Sequence, residues 1–181
     1  MALSSRALPP VDPEAPHGPI TRAQIRLLRT RSMLWFERTL VWRILWWRLV
    51  PRIMRLTGGR LPGKLPLPVA LLETKDARNG RPHRRAVFYF HDAEKVTIIA
   101  TKGGLPQDPF WYENALADPD VRLGGEPFRA QPVDREADCA RLWALADRYF
   151  PPFAAYRDRA AHSGRQMPIL QLTPRQCSDA A

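Results

Sequence analysis

Lys102-Gly103-Gly104 is the stretch whose residue types and spacing suggest binding chemistry. A lysine followed by two glycines sets a cation beside backbone that carries no Cβ, so a ligand can approach closely. The N–H groups of such a loop and the ammonium group suit an anion. The loop follows Lys95-Val-Thr-Ile-Ile-Ala-Thr101, a β-branched apolar run that predicts a buried strand. It precedes Asp108-Pro109-Phe110-Trp111-Tyr112, which reads as a helix start with Asp108 as the cap and Pro109 in the first turn. Strand, basic glycine loop and capped helix N-terminus can together hold an anionic ligand. The same order also serves as an ordinary connection, and short motifs often match by chance.

A second set of cations lies upstream. Lys75 to Pro82 is a polar turn containing Asn79-Gly80, a hairpin signal, with Lys75, Arg78, Arg81, His83, Arg84 and Arg85 in or just after it. If the first three strands form a meander, this turn and Lys102 share one end of the sheet, and cations from two loops converge on one anion. A merely solvated turn would have the same composition. No Ser/His/Asp or Cys/His arrangement is visible, and no histidine or cysteine has metal-ligand spacing. Cys139 and Cys177 lie far apart and read as free thiols of a reducing, cytoplasmic compartment.

The elements that must position these residues follow a β-rich order without βαβ repetition. Strands are predicted at Val69–Thr74, Ala86–Phe90, 95–101, Val121–Leu123, Phe128–Val133 and Met167–Thr173. Helices are predicted after Pro109 and after Asp134, the second with Leu142, Leu145 and Ala146 buried. Phe150-Pro-Pro-Phe-Ala-Ala-Tyr156 reads as an aromatic loop leading into a short helix. The sum is a mainly β (α+β) fold: a barrel of about six antiparallel strands with helices at its junctions.

The chain has 181 residues and a net charge of +10, unevenly placed. Between Arg22 and Arg60 there are ten arginines and one acid, Glu37, whereas the remainder nearly balances. Residues 1–19 are rich in proline and small residues and read as a disordered tail without a secretory signal. Residues 20–63 read as a Trp/Arg-rich amphipathic helix and linker, 64–174 as the barrel domain, and 175–181 as a polar tail. Glu37, Arg38, Arg43 and Arg48 interrupt the helix too often for a bilayer span. Trp35, Trp42 and Trp46 share one face, and Phe36, Leu40, Ile44 and Trp47 share another. Two apolar faces suit two contacts: the barrel on one side, and a lipid headgroup layer or a second copy of the chain on the other.

Val69-Ala-Leu-Leu72 with the Arg78-Asn-Gly80 turn, Ala100-Thr-Lys-Gly-Gly104, and Asp108-Pro-Phe-Trp-Tyr112 occur in one order. Over roughly Leu56 to Pro174 the chain resembles the deazaflavin-dependent nitroreductase (Ddn-like) family of actinobacteria, coenzyme F-420-dependent quinone reductases with a split β-barrel. The resemblance implies that reduced F-420 lies in a groove and delivers a hydride. It implies that Arg78, Asn79, Arg81, Lys102 and Gly103 hold the anionic phosphate and glutamate end. Phe110, Trp111 and Asn114 would line the deazaflavin, and Thr101 would orient an acceptor near the reacting ring. Phe88, Phe150, Phe153 and Tyr156 would form the acceptor segment, with Tyr156 or a water donating the completing proton. No metal is implied.

The chain departs from the family pattern in two places. The usual Gly-Arg-Lys-Ser-Gly turn is Asp76-Ala77-Arg78-Asn79-Gly80, and phenylalanine stands at 88, 150 and 153 where tyrosine is expected. Phenylalanine keeps an apolar wall and loses a donor. A quinone therefore suits this chain better than a nitroimidazole. Two other readings stand beside this one. An FMN-binding split-barrel reductase would use the same basic groups. A basic interaction protein would bind anionic lipid or nucleic acid through residues 22–60, although no nucleic-acid motif is visible. The leading expectation is an F-420-dependent reductase at the inner face of the cell membrane, taking a quinone or other small apolar acceptor, with a homodimer as one candidate assembly.

Overall fold

β-Branched and apolar residues buried on both faces of a strand dictate a sheet that is covered inside and out. The computed structural model describes residues 8–13 and 68–175. The expected N-terminal helix, its linker and the end of the C-terminal tail lie outside these residues. Six strands form the barrel: β1 (Val69–Lys75), β2 (Pro82–Asp92), β3 (Lys95–Ile99), β4 (Asp120–Leu123), β5 (Glu126–Pro132) and β6 (Ile169–Pro174). They close in the order β1-β2-β3-β6-β5-β4, with every neighbour antiparallel. Closure is made where β1 meets β4, at Leu72 opposite Leu123 and Glu73 opposite Arg122. A closed barrel leaves no strand edge to pair with another chain.

Directly opposed residues share a face. The register thus puts Ala70 with Val87, Tyr89 with Ile98, Val96 with Leu172, and Ala130 with Leu172 on the inner face. All are buried in one core. The outer face carries Phe88, Glu73 opposite Arg84, and Asp92. Helices α1 (Phe110–Ala117), α2 (Glu136–Tyr149) and α3 (Pro152–Ala161) pack against the barrel. Leu142, Leu145 and Ala146 form the buried side of α2, as their spacing predicts. Arg157 of α3 pairs with Asp147 of α2 at 2.6 Å and lies 4.5 Å over the Trp143 ring, which fixes the two helices together.

Several sequence expectations are corrected. β2 starts at Pro82, not Ala86, because His83, Arg84 and Arg85 alternate: Arg84 points outward to Glu73 at 2.8 Å. β3 ends at Ile99, before the glycine loop. Neither Asp108 nor Asp134 caps a helix: α1 is preceded by Pro109 and α2 by Arg135, and neither of these makes a side-chain cap. The aromatic loop is mostly helix, because Pro152 begins α3 and places Phe153 and Tyr156 on it.

Residues 8–13 also differ from the expected tail. Leu8 and Val11 are buried in the barrel core. The His91 N–H donates to the Val11 carbonyl at 2.8 Å, and the Val11 N–H donates to His91 Nδ1 at 3.0 Å. The Tyr89 hydroxyl donates to the Pro9 carbonyl at 3.1 Å. A ring nitrogen that accepts a hydrogen bond must be unprotonated. Burial pushes the His91 imidazole below its ordinary value, and burial does the same to His83. In the unfolded chain both titrate near 6.5. The unfolded state therefore binds more protons as pH falls below about 6.5, and stability falls with it. We expect the melting temperature to drop between pH 7.5 and 5.5, and His91→Asn to reduce that drop. An equal drop in the variant would remove His91 from the effect.

Candidate cofactor and acceptor site

The glycine loop is built from unusual backbone. Lys102, Gly103 and Gly104 have φ values of +45°, +64° and +75°. A left-handed lysine is uncommon and persists only where its surroundings hold it. Lys102 Nζ donates to the Asp108 carbonyl at 3.0 Å and sits 5.6 Å from the centre of the Phe110 ring. A Cβ on Gly103 would meet nothing within 4 Å, so the space beside the loop is open. A Cβ on Gly104 would lie 2.4 Å from the Tyr156 carbonyl oxygen, so loop and α3 touch there.

Arg165 organises the same loop. Its guanidinium donates to the carbonyls of Thr101 at 3.1 Å and Leu105 at 2.7 Å, and to that of Ala100. It also pairs with the Asp108 carboxylate at 2.7 Å. Its side chain is only 6% exposed. Arg159 of α3 adds a bond to the Gly103 carbonyl at 2.6 Å. Asp108, expected as a cap, is the counter-ion of Arg165. Neither arginine was singled out from the sequence, because such long-range contacts leave no local spacing to find.

The 76–81 turn is the second part of the site. The Asp76 carboxylate accepts the N–H groups of Arg78 at 2.9 Å and Asn79 at 3.3 Å, while Asn79 Oδ1 accepts that of Arg81 at 2.9 Å. The acid that enters this turn is thus consumed in shaping it, and Arg78 and Arg81 stay exposed. Asn79 serves here through its side chain as a turn former. A Cβ on Gly80 would also meet open space.

Helix α1 joins the two loops. Its first residue, Phe110, is 56% exposed and lies beside Lys102. One turn on, buried Asn114 accepts the Ala77 N–H at 3.1 Å and donates to Thr74 Oγ1 at 3.3 Å. Asn114 therefore spends its amide on the protein. Trp111 is likewise buried in the core. Both lie beneath the site, and Phe110 is the residue of the three presented to solvent.

The aromatic residues at 88, 150, 153 and 156 come together. Phe88 stacks on Phe150 at 4.5 Å, Phe150 meets Phe153 edge-on at 4.8 Å, and Tyr156 lies 6.4 Å from Phe150. Phe150 and Phe153 are 3% and 4% exposed, so they form the floor of the cluster. Phe88 and Tyr156 are half-buried and carry its accessible surface. Thr101 is half-buried at the head of the glycine loop. Among the described residues no group of three His, Cys, Asp or Glu could hold a metal.

The parts fit an anionic, ring-bearing cofactor. Arg78, Arg81 and Lys102 supply cations beside open space, and the aromatic cluster begins where Tyr156 meets the loop. Comparison with known proteins identifies the cofactor class. Residues 46–174 match the model of the F420H(2)-dependent quinone reductase family. An F420H(2)-dependent quinone reductase of Mycobacterium tuberculosis is 34% identical over 148 residues, spanning 78% of this chain and 97% of that protein. The solved structure of an F420-H2 dependent reductase, FDR-A, is 27% identical with a TM-score of 0.50, covering 58% of this chain and 93% of that one. A second structure, described as a domain-swapped dimer, is 25% identical with a TM-score of 0.52 over 68% of this chain and 96% of that one. These matches favour F420 over the FMN alternative. The chain belongs to the F420H(2)-dependent quinone reductase family and is an F420-dependent oxidoreductase with a split β-barrel fold.

Proposed function

We propose that this enzyme passes a hydride from reduced F420 to a planar, apolar, quinone-like acceptor at a membrane surface. The observation that carries the reading is the bracket made by α1 and the residues that lead into it: Asn114 holds the cationic 76–81 turn while Phe110 and Asp108 meet Lys102. Two basic loops from distant sequence thereby serve one ligand. When bound, F420 supplies the hydride; the protein supplies orientation and a dry surface.

In this reading Arg78, Arg81 and Lys102 take the phosphate and carboxylate end. Gly103 lets the backbone approach it. Phe110 borders the ring system. Phe88, backed by Phe150 and Phe153, gives a flat apolar face on which a quinone ring stacks. The Thr101 hydroxyl orients the acceptor carbonyl, and the Tyr156 hydroxyl or a water delivers the proton that completes the reduction. Phenylalanine at 88, 150 and 153 leaves few donors for a nitro group, which favours a quinone.

The membrane-surface part rests on residues 22–60, where four tryptophans stand among ten arginines. Rings at the headgroup level and guanidinium groups on phosphates suit that composition. The fitting assembly is a homodimer, as in the structurally similar domain-swapped dimer. The test is steady-state oxidation of reduced F420 with a panel of quinones and nitroaromatics, with and without vesicles containing anionic lipid. We expect quinones to turn over at least tenfold faster than nitroaromatics, and the chain to sediment with the vesicles at low salt. Faster nitroaromatic turnover, or no sedimentation, would contradict the corresponding part.

A further inference from the structure

We infer that Arg165 is a positioning residue for the cofactor loop, and that it makes that loop and α3 one mechanical unit. The inference rests on the reading of Lys102 as a cofactor-binding residue and of Thr101 as an acceptor-orienting one, and goes beyond it. Lys102 to Gly104 holds three successive left-handed residues, one of them a lysine. The sheet does not hold this shape, because β3 ends at Ile99. Within the loop itself Gly104 donates to the Thr101 carbonyl at 2.8 Å and Leu105 to that of Lys102 at 3.3 Å. These two bonds alone close one tight turn.

Arg165 supplies most of the remaining bonds. One planar guanidinium takes carbonyls on both sides of the turn, those of Ala100, Thr101 and Leu105, and anchors on the Asp108 carboxylate. Arginine suits this task because its donors are fixed in a plane and always charged, which a lysine cannot reproduce. Arg165 leaves α3 through the turn at Ser163 and Gly164, and its own N–H donates to the Ala160 carbonyl at 3.0 Å. Arg159, six residues earlier and on α3, holds the Gly103 carbonyl, and the Tyr156 backbone abuts Gly104. The helix that presents Tyr156 to the acceptor is therefore bolted to the loop that presents Thr101 and Lys102. With the bolt removed, Lys102 loses the support its backbone needs, and the Thr101-to-Tyr156 geometry loosens.

The experiment compares Arg165→Met and Arg165→Lys with wild type, and uses Arg141→Met as a control. Arg141 makes a bidentate ion pair with Asp92 at 2.7 and 2.8 Å, away from the loop. Two quantities are measured: hydrogen exchange at Thr101, Gly104 and Leu105 without cofactor, and F420 dissociation constants. We expect Arg165→Met to speed exchange at these amides at least tenfold and to weaken F420 binding at least tenfold. Arg165→Lys should fall between, and Arg141→Met should leave both within twofold of wild type. Should Arg165→Met not fold, Arg165→Lys is judged by the same two readings. Unchanged loop exchange in a folded Arg165 variant would overturn the inference, as would wild-type F420 affinity. If wild type itself fails to bind F420, the cofactor reading falls, while the exchange measurement still judges the hold of Arg165 on the loop.

Discussion

Lys102→Glu is expected to remove F420 binding while leaving the fold intact. The lysine side chain is half-buried, and among the described residues it donates to the Asp108 carbonyl. Glutamate keeps the same backbone demands, so the strain at φ +45° does not change. What changes is the donor to the Asp108 carbonyl, which a carboxylate cannot replace, and the charge facing the ligand. A charge-assisted hydrogen bond is worth about 1.5–3 kcal/mol, and the new carboxylate adds repulsion. Since about 1.4 kcal/mol is a factor of ten, the loss should be on the order of 100-fold or more. Fluorescence titration with F420 measures it, with a thermal melt as the check on folding. Unchanged affinity would take Lys102 out of the site.

Gly104→Ala should have the largest structural effect of any single change in the loop. The added methyl would sit 2.4 Å from the Tyr156 carbonyl oxygen and 3.0 Å from Arg159 Cβ. The first contact is with helix backbone, which cannot swing aside as a side-chain tip would. The φ of +75° adds the usual penalty for a left-handed alanine. Together these cost roughly 2–4 kcal/mol, or about 10 °C or more in melting temperature for a domain of this size. Gly103→Ala is the matched control. Its φ is +64°, but its Cβ would meet open space, so only the backbone cost of about 1 kcal/mol remains. A Gly104→Ala melt no lower than that of Gly103→Ala would show that loop and α3 do not press together as described.

The barrel was legible in the sequence where burial left a pattern. Val69–Leu72 is apolar without interruption, and Val96–Ile99 is broken only by the β-branched Thr97, because these segments are covered on both faces. The start of β2 is hidden because its first residues are charged, and alternation in so polar a run resembles a turn. α3 was placed too late because Pro151-Pro152 looks like a break, although proline in a first helical turn costs nothing. Leu8 and Val11 were hidden for a different reason. A proline-rich stretch has no periodicity of its own, and its bonds to Tyr89 and His91 reach 80 positions along the chain.

The site divides along the same line. Arg78, Arg81 and Lys102 stand in loops with a glycine signature, and motif spacing found them. Phe150 and Phe153 were found as well, but an aromatic run does not tell floor from surface; only packing against Phe88 and Trp143 does. Asp108 was misread because local capping competes with ion pairing, and here a buried arginine 57 residues away wins. Arg165 carries no motif at all. Its importance lies in what converges on it, which only the fold brings together.

The most direct test of the account is titration of the purified full chain with oxidised F420, followed by fluorescence, with FMN titrated in parallel. Saturable binding that prefers F420 by at least tenfold and weakens as salt rises is expected, because the proposed anionic tail would meet Arg78, Arg81 and Lys102 at an exposed surface. Equal or tighter FMN binding, or no saturable F420 binding by a folded sample, would contradict it.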